Sequence, residues 1–121
     1  MSADAPWQSL AAQERARLAS KIEASGLGAA APFEVAREVL NVAQVPLEGV
    51  LSAAELEMTG SSVEGLLMRL RSGEWGAEEV TRAFCRRAVL AHKLTNCLTQ
   101  VFFDRAIERA KWLDAEFATN G

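Results

Sequence analysis

Apolar residues recur at three- and four-residue intervals along most of this 121-residue chain, and only one short stretch breaks that rhythm in favour of extended structure. The rhythm is clearest after Ala77, where Val80, Phe84, Ala88 and Ala91 mark one face and Leu94 extends it. Such a pattern constrains the chain to bury helix faces against one another. The expected fold class is mainly α, with about five helices and one short strand near 97–103.

Pro6 leads into a first helix over about 7–25, with Trp7, Leu10, Ala11, Leu18 and Ile22 on its apolar side. Gly26-Leu27-Gly28 ends it. Pro32 suits the first turn of a second helix, about 33–43, because its missing N–H has no helical partner there. Pro46 stops that helix. Ser52-Ala-Ala-Glu55 has the form of a capping box, in which hydroxyl and carboxylate each accept from a backbone amide, so a short helix over 52–58 follows. Ser61-Ser-Val-Glu64 repeats the signature before a helix over about 62–72, with Val63, Leu66, Leu67 and Leu70 inward and Gly73 as its terminal glycine. After the helix over about 77–94, Asn96 breaks the period. Cys97-Leu-Thr-Gln-Val-Phe-Phe103 favours a strand, which needs partners from elsewhere. Asp104 is the expected N-cap of a last helix over about 104–118, lined by Ile107, Ala110, Leu113 and Phe117.

Composition excludes several classes. The 13 basic and 16 acidic residues give a net charge of −3, and no basic run exceeds Arg86-Arg87, so no stripe exists to neutralise phosphates and no nucleic acid is expected as a partner. No apolar run has the length of a membrane span, and the opening residues lack a basic and apolar leader pattern, so a cytoplasmic protein without membrane contact is expected. Cys85 and Cys97 show no metal-ligand spacing and are read as reduced, buried thiols.

His92, the single histidine, lies beside Lys93 with no carboxylate three or four positions away, whereas a triad base needs an orienting acid. A partly exposed structural role is expected. Cys85 and Cys97 lack a thiolate-stabilising neighbourhood and are expected to pack. Gly60-Ser61-Ser62 could pass for a nucleophile loop, yet capping accounts for both serines. The acids at 55, 57, 64, 74, 78 and 79 fall on first turns and solvent faces, where they complement helix dipoles. Trp75 and Trp112 either fill a core or interdomain contact, the favoured reading, or mark a surface for a partner. No catalytic, cofactor-binding or metal-binding residue is assigned.

The stretch from Ser72-Gly-Glu-Trp75 through Asn96-Cys97-Leu98-Thr99 and Phe102-Phe103-Asp104 to Asp114 resembles the N-terminal region of amidase signature enzymes, in the branch that contains the fungal acetamidases. Looser likeness through Pro6-Trp7-Gln8 and Leu51-Ser-Ala-Ala-Glu-Leu-Glu57 extends the resemblance over essentially the whole chain. It implies that the helices are the N-terminal helical part of the α/β amidase signature fold. Residues 1–58 would be a helical arm and 59–121 the start of the amidase domain, truncated before the catalytic core.

The resemblance also implies hydrolysis of a small carboxamide, in a full-length form, by a Ser-Ser-Lys triad with backbone amides stabilising the oxyanion. None of those residues falls in this sequence, since the triad lysine belongs to a segment after the last helix and both serines come later. Lys93 and Lys111 sit within helices instead. The chain is therefore expected to be inactive alone, with an apolar face free to dock on an amidase core or to self-associate. The alternative is a free-standing helical interaction module. Gly76 is a departure, standing where the family usually places Ser or Thr.

Overall fold

The computed structural model of the protein describes residues 5–28, 35 and 38–120. Among them are five α-helices: α1 (Pro6–Ala24), α2 (Ala53–Gly60), α3 (Val63–Ser72), α4 (Ala77–Thr95) and α5 (Phe103–Asn120), with a 3-10 turn at Val42–Gln44 between the first two. The mainly helical expectation holds. Two elements do not match it. Residues 97–102 form no strand, because nothing among the described residues offers them a ladder, and the single β-bridge joins Glu48 to Leu51 within the connector. Of the helix expected over 33–43, residues 33, 34, 36 and 37 lie outside the described residues, and the rest forms no α-helix. Its described part from 38 to 41 is turn and coil, and the Asn41 side chain accepts the Ala43 amide at 3.1 Å to start the 3-10 turn.

α4 is the central element, packing against α2 on one side and antiparallel to α5 on another. Its sequence carries two buried faces, and each organises a cluster. Val80 and Ala83 join Met58 of α2 and Trp75, with Leu66 and Leu70 of α3 packed against them. Cys85 and Val89 join Ile107 of α5 and Leu27, with Ile22 of α1 and Phe103 at the edge. The expected stripe was right in part: Val80 is buried and Ala88, Ala91 and Leu94 are half-buried, but Phe84 stays 42% exposed while Ala83, Cys85, Val89 and Leu90, off that stripe, are buried. A helix contacted from two directions buries more than one stripe, and a single-period reading sees only the largest side chains.

The helix ends follow capping chemistry. The Ser52 hydroxyl accepts the Glu55 amide at 3.1 Å and the Glu55 carboxylate accepts the Ser52 amide at 2.9 Å, completing the box. At α3 the cap moves by one residue. Ser61 closes α2 by donating to the Glu57 carbonyl, so Ser62 becomes the N-cap and accepts the Gly65 amide at 3.1 Å. The residue three beyond Ser62 is then glycine, which has no side chain to complete a box. Gly73 ends α3 in the left-handed region at φ 80°, as a terminal glycine should. α5 begins at Phe103, which places Asp104 inside its first turn rather than at its cap.

Glu55 also ties α2 to α4, accepting from the Arg86 guanidinium at 2.6 Å while Arg87 donates to the Thr59 hydroxyl at 2.7 Å. Partial burial raises the Glu55 pKa, but the Ser52 amide and the Arg86 charge and hydrogen bond outweigh it, leaving the carboxyl below its ordinary value. A carboxyl whose native pKa is depressed stabilises the fold above its unfolded pKa, and that contribution fades as pH falls through the native value. Wild type should therefore exceed Glu55→Gln in unfolding free energy at neutral pH, and the two curves should converge in acid below the ordinary carboxylate range. Urea titrations across pH check this, and a constant gap down to strong acid would contradict it.

Candidate functional site

The serines come first, since a hydroxyl nucleophile is what the resemblance would call for. Ser52 and Ser62 cap α2 and α3, and Ser61 donates to Glu57. Ser25 and Ser72 donate to carbonyls of Ile22 and Arg69 and accept the amides of Leu27 and Glu74. These hydroxyls are engaged by backbone at helix ends. Lys93 is exposed, and Lys111 lies 4.0 Å from the Glu78 carboxylate. Among the described residues no group of His, Cys, Asp and Glu could hold a metal ion, and no helix is long and apolar enough to cross a membrane.

His92 performs a structural task at the end of α4. Its Nδ1 accepts the Leu98 amide at 3.1 Å, while its carbonyl accepts the Asn96 amide at 2.7 Å, and Asn96 takes the left-handed conformation at φ 52°. The imidazole thereby turns the chain out of α4 toward Val101, which is buried. The sequence holds this only as the absence of an acid partner, since a contact to an amide six residues on leaves no pattern in helical spacing.

The cysteines separate. Cys85 is buried, and burial pushes its thiol pKa up, with Arg82 pulling it partly back. Cys97 is exposed, correcting the expectation that both are buried, because the missing strand leaves 97 on an open connector. A thiol reagent such as DTNB should modify one cysteine rapidly in the native protein. Cys97→Ser should remove that fast phase, leaving Cys85 to react only as the protein unfolds; equal rates at both sites would contradict the packing.

The two larger of the open grooves against α1 concern the site. One, of about 610 Å³, lies between the end of α1 and the start of α5, where the Lys21 ammonium and the Arg105 guanidinium stand 5.4 Å and 5.9 Å from the Phe102 ring centre. The other, of about 510 Å³, separates α1 from the C-terminal half of α4 and is lined by Leu18, Ile22, Val89 and His92. Neither brings together a nucleophile, a base and an orienting group.

The most extensive unassigned feature is apolar surface. Trp75 is buried with the Arg69 guanidinium 4.3 Å from its ring centre, whereas Trp112 is half-exposed under Arg109 at the same distance. On α3, Val63, Leu67 and Met68 face outward although two of them were expected inside, because only Leu66 and Leu70 reach the core. On α5 the buried stripe stops at Ala110, and Leu113 and Phe117, also expected inside, are 42% and 46% exposed.

No family model and no solved structure matches the chain. Among curated proteins it is 41% identical over 113 residues to an acetamidase of Emericella nidulans, covering 93% of the chain and 20% of that protein. It is 38% identical over 117 residues to an acetamidase of Aspergillus oryzae, covering 96% and 21%. An amidase of Gibberella moniliformis is 33% identical over 132 residues, covering 98% and 23%. The chain thus spans about a fifth of the length of the curated relatives it matches, within their N-terminal part.

Proposed function

We propose that the chain is the helical N-terminal portion of a carboxamide hydrolase of the fungal acetamidase type, since nearly all of it matches the N-terminal part of such proteins. In this reading hydrolysis of a small carboxamide belongs to the full-length form, and the 121 residues by themselves are inactive. The observation that carries it is the lopsided coverage, in which nearly all of this chain aligns with a fifth of each relative. The engagement of the Ser25, Ser52, Ser61, Ser62 and Ser72 hydroxyls by backbone at helix ends supports it too, since it gives these serines a structural task. Residues 1–58 act as a helical arm and 59–121 as the start of the enzyme's main domain.

The test is the intact mass of the native product, captured with an antibody raised against residues 72–114. A species several times heavier than 13.1 kDa that hydrolyses carboxamides is the expected result. A native product of 13.1 kDa would overturn the enzyme reading and leave a free-standing helical module in its place.

A further inference from the structure

The connector between α4 and α5 is held by very little. Among the described residues, the backbone of 97–101 makes one hydrogen bond, from the Leu98 amide to His92 Nδ1 at 3.1 Å. The end of α4 before it is secured separately, since the Asn96 amide donates to the His92 carbonyl at 2.7 Å and the Thr95 hydroxyl to the Ala91 carbonyl at 2.7 Å. Beyond Leu98 the anchor is Val101, which is buried, while Thr99 and Gln100 are exposed. A segment with one hydrogen bond and one buried side chain opens locally more readily than the helices it joins.

That one bond falls on an imidazole, the side chain that changes charge near neutral pH. An amide nitrogen can only donate, so Nδ1 accepts with its lone pair and the ring is neutral, with its proton on Nε2. The imidazolium carries a proton on each nitrogen and has no lone pair to offer the amide. Its charge is nonetheless accommodated where it stands, because His92 lies in the last turn of α4 and a helix C-terminus favours a cation. The charged groups that line the groove with it are Glu23 and Arg15 from α1 and Lys93 from α4, one favouring and two opposing a cation, and α5 contributes none of the lining. Residues 97–102 carry no charged side chain, and their titratable group is the exposed Cys97 thiol. We propose that His92 is a proton-operated latch on the α4–α5 connector: the neutral ring holds residues 97–101 against the end of α4, and the protonated ring releases them. A proton binds Nδ1 only in the released arrangement, so lowering the pH shifts the population toward release and uncovers Val101. The latch does not depend on the amidase reading, which the mass of the native product decides.

The test is amide hydrogen exchange of the isotopically labelled 121-residue chain, read residue by residue by NMR from about pH 8 to about pH 5, the span over which imidazoles take up a proton. Each rate is divided by the unstructured rate at the same pH, and the His92 ring signals report its charge. Protection of the Leu98 amide should fall about tenfold in step with His92 protonation, as loss of one hydrogen bond requires, while Val89 within α4 keeps its protection. His92→Asn, whose Oδ1 accepts but takes up no proton in this span, should show no step. A Leu98 amide unprotected at the upper pH, protection unchanged as the ring titrates, an equal step in His92→Asn, or a joint fall at Val89 would each overturn the latch.

Discussion

Trp75→Ala should cost about 3–5 kcal/mol of unfolding free energy, the range for emptying a buried aromatic site. Trp75 is 8% exposed and sits where Met58 of α2, Leu66 and Leu70 of α3, and Val80 and Ala83 of α4 converge, so its loss opens a cavity shared by three helices. The indole is also the platform for Arg69, whose guanidinium stacks at 4.3 Å while it pairs with Glu57 at 2.6 Å. Truncation would free that side chain as well. Against a typical total of about 5–15 kcal/mol, the variant should unfold at much lower urea, and Trp75→Phe, which fills part of the volume, should fall between. A Trp75→Ala cost near that of an exposed substitution would mean that α3 is not held by this cluster.

Asp114→Ala should cost about 1–3 kcal/mol, because it strips a partner from two amides at the start of α4. Gly76 precedes that helix and offers no side chain, and Asp114 of α5 supplies the missing cap from 37 residues away, accepting from Ala77 with one oxygen and from Glu78 with the other. The charge also lies at the positive end of the α4 dipole. This arrangement explains the glycine. A Cβ at 76 would stand 3.2 Å and 3.5 Å from the two carboxylate oxygens, so a hydroxyl cap at 76 and the tertiary cap would compete for the same space. Gly76→Ser should therefore gain nothing in the wild-type background and recover part of the loss in the Asp114→Ala background. A double-mutant cycle by urea unfolding measures the coupling. Simple additivity would mean that the two caps do not exchange.

Local signals were legible in the sequence where a single segment contains the whole interaction. The Ser52–Glu55 box, Gly73 as a left-handed terminus and the long helix beginning at Ala77 all depend on residues within one or two turns. Signals shared between neighbouring helices were blurred. Ser61 and Ser62 read as one capping box, but one serine ends a helix and the other begins the next, a division that only the tight junction between α2 and α3 imposes. Asp104 likewise looked like a cap until the helix start fell one residue earlier. The strand expected over 97–103 had the right side chains and no ladder, because a strand is a property of a pair.

By itself, then, the sequence determined the helical class and the caps whose partners lie within a turn, and its resemblance to amidase signature enzymes was legible across essentially the whole chain. Those follow from short-range hydrogen bonding and from apolar periodicity, which are written in consecutive residues. Only the tertiary structure decided which faces are covered. Two neighbours press on α4 from different directions, so Cys85 and Val89 go inside while Phe84 stays out, and the stripe on α5 is buried at Ile107 and open at Leu113. The physical reason is that hydrophobicity sets what a side chain gains from burial, whereas the position of a second helix sets whether burial is available.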